Sequence, residues 1–511
     1  MTATRQSGAP VHRGLVAISI MLATIMQVVD MTIVNVALPH MQGAMSATQD
    51  QIAWVLTSYI VAAAIATPLS GVLAARVGRK RLMLWSIATF TVASMLCGRA
   101  ETLGEMVFFR LLQGTAGASL VPLSQAVLLD TYPREKHGSA MAMWGMGVMV
   151  GPILGPTLGG YLTEYYSWRW AFYINLPVGI LALLGTTAFL TETVRDASRR
   201  FDFFGFALLG LAIGALQLAL DRGETLDWFA SRTIIIAVIV SGLAFYMFLV
   251  HMFTAEKPFI EPGLFRDRNF STGVFLMFTM GVMLFSTMAL MPPFLQTLRG
   301  YPVITAGLLL APRGLGTMLA MNLVGRLIGR VDTRWLLLFG FSLMAISLWE
   351  MAGFNLDVGT WPIVHTGIVQ GIGLGFVFIP LTTTAFSTLA PKFRNEGTAM
   401  FSLMRNIGSS VGISVVITIL GRQAQINHAD LASLINPFRL STLPAALPHA
   451  WDIAGRTGAL ALNGEVGRQA LMIAYLDDFR LMMYLTLCAA PLLLLLRKPK
   501  RVPANSQIAL E

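Results

Sequence analysis

Two ionisable side chains stand where the surrounding sequence is apolar enough to cross a bilayer. Asp30 lies in Met26-Gln27-Val28-Val29-Asp30-Met31-Thr32-Ile33-Val34-Asn35-Val36-Ala37-Leu38-Pro39, within an apolar run from Leu15 to Leu38. Arg110 opens Arg110-Leu111-Leu112-Gln113-Gly114, one turn inside another such run. A carboxylate at mid-membrane costs on the order of 3 kcal/mol or more, so it is neutralised, paired or turned to water. Arginine stays protonated and needs a counter-charge or carbonyls. If the two meet, Arg110 favours the ionised form of Asp30 when close and lets it take a proton when apart. That is the chemistry of a proton-coupling pair. The alternatives are a carboxyl wetted at a helix end and an arginine snorkelling to the interface.

Further polar groups inside apolar runs are candidates for a substrate cavity: Asn35, Gln113, Gln125, Arg313, Gln370 and Arg405. Either of the two arginines could line an aqueous cavity or pair with an acid. The chain's 29 methionines offer a soft lining that tolerates varied hydrophobic ligands, although most serve simple packing. Glu350 and His365 sit nearer the ends of their runs, as interfacial groups do.

Two glycine-rich stretches bear on movement. Gly145-Met-Gly147-Val-Met-Val-Gly151-Pro152-Ile-Leu-Gly155-Pro156-Thr-Leu-Gly159 puts small residues on one helix face and two prolines in its middle. Such a helix packs closely and bends, which predicts a hinge or a seal between halves around Gly151, Pro152, Gly155 and Pro156. Gly71-Val-Leu-Ala-Ala75-Arg76-Val-Gly78-Arg79-Lys80-Arg81 predicts a tight turn, with Gly71, Gly78 and Arg79 as gating candidates. Plain electrostatic anchoring of the basic cluster is the alternative.

The elements that must position these groups are membrane helices. The 511 residues are 55% apolar and 12% charged, with mean hydropathy +0.67. A soluble protein carries about 25% charged residues, so the chain reads as a polytopic membrane protein. About fourteen runs reach the length a span needs. The net charge of +10 raises nucleic acid as a partner. The basic residues instead cluster between spans, which makes the surplus a matter of topology and leaves no nucleic-acid role. One set of inter-span segments holds Arg76, Arg79, Lys80, Arg81, Arg134, Lys136, Arg195, Arg199, Arg200, Arg326, Arg330, Arg334, Lys392, Arg394, Lys498, Lys500 and Arg501 among others. The opposite set is sparser, with Arg99, Arg169, Arg222, Arg299, Arg422, Arg439, Arg456 and Arg468. The bias predicts both termini inside.

The chain echoes itself at offsets near half its length. Gly138-Ser-Ala-Met141 recurs as Gly397-Thr-Ala-Met400, Leu112-Gln113-Gly114 as Val369-Gln370-Gly371, and Val77-Gly78-Arg79 as Ile328-Gly329-Arg330. Two six-helix halves in the same orientation explain this, and such halves rock about a central site in transporters. The expected division is a cytoplasmic tail 1–14, a first bundle 15–190, a linker with two extra spans 191–270, a second bundle 271–496 and a tail 497–511. The outer segment 421–478 is long, with an irregular part over Asn436–His449 and an amphipathic helix over Leu460–Tyr475. A loop of that length serves a partner or is a solvated flap. No Gly-x-x-x-x-Gly-Lys-Ser/Thr phosphate loop, nucleophile–base constellation or Cys/His metal cluster occurs, so the expectation is no enzyme and no cofactor beyond the proton.

Taken together, these motifs resemble the major facilitator superfamily, and within it the fourteen-helix drug/proton antiporters of EmrB/QacA type. Asp30–Pro39 is similar to that family's first-helix motif, Gly71–Arg81 to its loop motif, Arg110–Gly114 to its fourth-helix motif and Gly151–Pro156 to its antiporter motif. Leu220-Asp221-Arg222-Gly223-Glu224-Thr-Leu-Asp227-Trp228-Phe229 looks like the EmrB branch. The resemblance implies an all-α integral membrane fold of two six-helix bundles plus two extra central helices. It also implies a multi-pass protein of the bacterial inner membrane that exports hydrophobic drugs with a periplasmic membrane-fusion adaptor and an outer-membrane channel. Two departures stand out. Ala75 replaces the loop motif's usual aspartate, so a gate through that carboxylate cannot form, and Gly367 falls where a second-half counterpart of Arg110 would be. The resulting expectation is a proton-coupled multidrug antiporter with Asp30 as proton site and Arg110 tuning it. A transporter of one small metabolite and a non-transporting receptor or scaffold are the alternatives.

Overall fold

The structure is a computed structural model that describes residues 13–133, 136–192, 201–435 and 456–497. Outside them fall most of both tails, Arg134, Arg195, Arg199, Arg200, Arg439, Lys498, Lys500, Arg501 and the stretch Asn436–His449. The side chains of Pro152 and Pro156 also lie outside the described residues.

Fourteen helices among the described residues are long and apolar enough to span a membrane. In the first bundle they are α1 (Arg13–Ala44), α2 (Trp54–Val77), α3 (Arg79–Arg99), α4 (Leu103–Thr131), α5 (His137–Tyr165) and α6 (Trp170–Phe189). Two more, α7 (Phe203–Arg222) and α8 (Arg232–Thr254), follow. The second bundle holds α9 (Arg268–Pro293), α10 (Val303–Leu327), α11 (Thr333–Met351), α12 (Thr360–Ser387), α13 (Arg394–Leu434) and α14 (Arg456–Ala489). With no water to satisfy backbone groups in hydrocarbon, helix is the form such runs must take. Their starts are fixed locally: Asp202, Asp267 and Asp332 cap α7, α9 and α11, and Thr102 with Glu105 forms a capping box on α4.

Helix contacts repeat between the bundles. α1 packs on α5 as α9 does on α13, α2 on α4 as α10 on α12, and α3 on α6 as α11 on α14. The sequence echoes have a structural cause. Gly78 and Gly329, at φ +100° and +89°, both take the positive φ that favours glycine just after α2 and α10. A Cβ at Gly114 would strike the Tyr59 carbonyl, and one at Gly371 the Arg313 carbonyl, so both halves need a glycine for the same close helix crossing. The halves meet where α5 packs on α10 and α2 on α13. The extra helix α7 lies against both α2 and α13. Its end reaches each half: Asp221 accepts from the Thr57 hydroxyl, while Ser414 donates to the Leu220 carbonyl at 2.7 Å and Trp228 to Thr418 at 2.9 Å.

The segment expected as a long outer loop is largely helix. α13 continues to Leu434, and α14 begins at Arg456 and runs unbroken through the expected Leu460–Tyr475 helix into the membrane. At 1.5 Å per residue the 41 residues of α13 span about 60 Å, twice the hydrocarbon thickness. The sequence reading ended these spans where hydropathy fell, but a helix anchored in a bundle carries on past the lipid with polar residues.

Candidate functional site

The first bundle gathers a sealed polar cluster around Asp30. Its Oδ2 accepts from Arg110 Nη1 at 2.8 Å, and its Oδ1 accepts from Gln113 Nε2 at 2.9 Å and Asn175 Nδ2 at 2.7 Å. Arg110 Nη1 also donates to Gln113 Oε1 at 2.7 Å, and its Nε to the Val55 carbonyl at 3.1 Å. The guanidinium lies 4.2 Å from the Tyr59 ring centroid, a cation–π contact. Asn175 Nδ2 also reaches Ser94 Oγ at 2.9 Å. Asp30 and Gln113 are fully buried, and Arg110 and Asn175 are 1% exposed. Four helices supply the groups: α1 the acid, α4 the arginine and glutamine at i and i+3 on one face, α3 the serine and α6 the asparagine.

Such a pair is viable in low dielectric because the charge is matched and both carboxylate oxygens are hydrogen-bonded. The bonds tie α1 to α4 and α6, so a shift of any of these helices disturbs the pair. Asn175 and Ser94 escaped the sequence reading. Asn175 is the polar residue heading an apolar run, which could have flagged it, whereas nothing local marks Ser94.

The other candidates are scattered. Gln113, expected in a substrate cavity, is spent on Asp30 and Arg110. Asn35 is exposed and bonds to the Met31 carbonyl of its own helix at 3.0 Å. Gln125 is buried, with Oε1 lacking a partner among the described residues. Gln370 is buried and donates to Thr287 Oγ1 at 3.2 Å. Arg313 and Arg405 are half-buried, on α10 and α13, two of the second-bundle helices that touch the first bundle. Among the described residues neither has an acidic partner; Arg313 reaches only the Leu284 carbonyl, at 3.5 Å. Glu350 and His365 form an exposed pair at 3.2 Å.

The glycine face of α5 does not seal one half against the other. Gly147, Gly151, Gly155 and Gly159 pack on Met21, Val28, Thr32 and Ile33 of α1, inside the same bundle. The Thr32 hydroxyl donates to the Gly151 carbonyl at 3.1 Å. Spacing reveals a small-residue face but not which neighbour it meets. The contact between halves uses other positions: Gly138 on Ile328, Gly145 on Met321, and Gly314 on Ile153. The buried Trp144 stacks on Phe378 with centroids 5.7 Å apart.

Ala75 leaves the loop motif without its carboxylate, and the nearby acid that bridges the two halves is Asp130 at the end of α4. It pairs with both Arg79 of the first half and Arg394 of the second. Arg79 Nε donates to Asn395 Oδ1 at 2.7 Å. Gly71 lies against the Asn395–Glu396 backbone, so the start of α13 docks closely on α2. The halves are thus clasped on the face that carries the basic loops.

Two bundles in parallel, joined by an extra pair and holding a buried acid–arginine pair, have the build of a membrane transporter. The Major Facilitator Superfamily model matches residues 20–413, and the chain belongs to that superfamily. Within it the chain is similar to the multidrug export protein EmrB of Escherichia coli (strain K12), 38% identical over 430 residues and 83% of each chain. It is 36% identical to the probable multidrug resistance protein EmrY of the same organism, over 94% of this chain and 95% of that one. The fatty acid resistance protein FarB of Neisseria gonorrhoeae is 35% identical over 95% of this chain and 96% of its own. These matches place the chain among the EmrB-type members. The crystal structure of the human organic anion transporter MFSD10 shares the fold, with TM-score 0.59 at 15% identity over 94% of this chain and 100% of that one.

Proposed function

We propose that this chain is a proton-coupled multidrug exporter of the bacterial inner membrane, moving hydrophobic and amphipathic compounds outward by alternating access. The positive-inside bias supports a cytoplasmic basic face with both termini inside. In that orientation the Arg79–Asp130–Arg394 clasp and the Trp144–Phe378 stack close the cytoplasmic side. Arg313 and Arg405 stand free of acids on the helices between the halves and suit amphipaths with an acidic head.

The observation that carries the reading is the complete burial of Asp30 amid three donors. A proton arriving at Asp30 frees Arg110 from its counter-ion, and the bundle repacks. Entry of one proton down about 100 mV yields roughly 2.3 kcal/mol. At about 1.4 kcal/mol per tenfold, that voltage alone sustains a gradient of a neutral drug of about fifty. No cofactor besides the coupling proton enters the scheme. Relatives named for multidrug export and resistance support the substrate class.

The helical extensions of α13 and α14 support a periplasmic membrane-fusion adaptor, and through it an outer-membrane channel, as partners. Asp30→Asn is expected to abolish proton-driven efflux in everted vesicles while the protein still purifies folded; unchanged efflux would refute the reading. Removing 427–471 is expected to release the adaptor yet leave transport in proteoliposomes intact, and retained co-purification would count against that role.

A further inference from the structure

The second bundle buries an acid that the scheme above leaves unused. Asp478 of α14 is fully buried, and among the described residues neither of its carboxyl oxygens has a hydrogen-bond partner. One turn to either side on the same helix lie the buried Tyr475 and Met482. Facing them, α9 ends in Pro292-Pro293 and continues as one π-helical turn, Phe294–Leu298. The Phe294 ring centroid is 5.4 Å from that of Tyr475 and 6.5 Å from that of Phe479.

An isolated carboxylate in such surroundings costs far more than the neutral acid, which needs no counter-ion. No charged neighbour pairs with Asp478 among the described residues. Asp477 pairs with Arg480 at 3.2 Å on α14 itself, and Glu350 of α11 pairs with His365 of α12. Arg299, after the π turn, lies over the Tyr301 ring with its Nε unbonded among the described residues, and makes no ion pair with Asp478. On α13, His428 is bonded to Asn463; Val416 and Leu420 of that helix join the apolar cluster around Phe294 and Tyr475.

We propose that Asp478 is a second proton-binding site, protonated in this conformation, whose proton loss loosens the packing of α14 on the π turn. The position has a rationale in the repeat. α14 and α9 are the counterparts of α6 and α1, which bring Asn175 to Asp30 in the first bundle. An open cavity of about 930 Å³, lined by Arg480, Met483 and Tyr484 of α14 with Glu350 and His365, lies on the other side of this helix, so the helix must turn or loosen before water reaches Asp478. The step is a simple dissociation. The carboxyl O–H breaks, the proton passes to water, and the carboxylate left behind must gain water or a cation. The double proline already leaves this end of α9 short of backbone hydrogen bonds, and π turns recur where helices serve function.

Proton binding can be read without transport, so the test separates this proposal from the antiporter reading on which its role in the cycle rests. In purified protein at neutral pH, the infrared C=O band of a protonated carboxyl is expected to vanish in Asp478→Asn and persist in Asp30→Asn. Raising the pH is expected to speed amide exchange over 294–298 severalfold in the wild type and to leave Asp478→Asn unchanged. The wild-type pH series needs no variant to fold. With ethidium as probe in proteoliposomes, the proton-to-ethidium ratio is expected to fall about twofold in Asp478→Asn. A carboxyl band indifferent to Asp478→Asn, or exchange at the π turn indifferent to pH, overturns the site. A lost band with an unchanged ratio overturns its part in coupling. If Asp30→Asn still exports, the antiporter reading fails while the band and exchange results stand.

Discussion

The two bundles share a backbone plan but manage buried charge in opposite ways. In the first, an acid and an arginine neutralise each other, and amides from α4 and α6 bond the acid's other oxygen. In the second, Arg313 and Arg405 stand without an acid among the described residues, and Asp478 stands without a cation. A matched pair is a mechanical tie between helices, since either charge left alone is costly. Unmatched groups are free to meet something that is not protein. On the proposed function, the first bundle would convert a proton into movement, and the second would meet cargo and water.

The largest test of this contrast is to break the tie. Arg110→Gln strands Asp30 and is expected to cost about 3–5 kcal/mol, read as a fall in detergent melting temperature. Adding Asp30→Asn to it is expected to restore most of that loss. A double variant as unstable as the single one would mean that the pair is not the tie. Next in size are the equivalent glycines. Gly114→Ala and Gly371→Ala each push a methyl into a carbonyl across a helix crossing and are expected to cost about 1–3 kcal/mol each. A large loss in only one half would show that the repeat is not mechanically equal. The smallest effect on stability falls on Arg405→Gln, which removes a charge that no acid among the described residues pairs. It is expected to change stability by less than about 1 kcal/mol yet weaken export of acidic amphipaths roughly tenfold against neutral ones, a difference of about 1.4 kcal/mol. Equal loss for both substrate types would remove Arg405 from substrate contact.

Much of this was legible along the chain because it depends on short stretches. About fourteen apolar runs become fourteen span-length helices among the described residues, and the echo of Gly78 in Gly329 becomes a shared positive φ. The candidate site was only half legible. Asp30, Arg110 and Gln113 announce themselves as polar groups in apolar runs, but Asn175 and Ser94 join them from helices far along the chain. Gln113 looked like a cavity residue because its sequence shows depth and not direction. The glycines of α5 showed a face, and only the packed bundle showed that α1 fills it.

By itself the sequence determined which segments enter the membrane, where an ionisable group is trapped among apolar neighbours, and that one plan is used twice. Those follow from hydropathy and from glycine's freedom, which are properties of a residue and its immediate neighbours. Tertiary structure alone decided that Asp30 is matched and Asp478 is not among the described residues, and that Asp130 pairs with an arginine from each half. Partnership is set by how each helix is rotated and paired, and helices distant in sequence share the donors that make a buried charge tolerable.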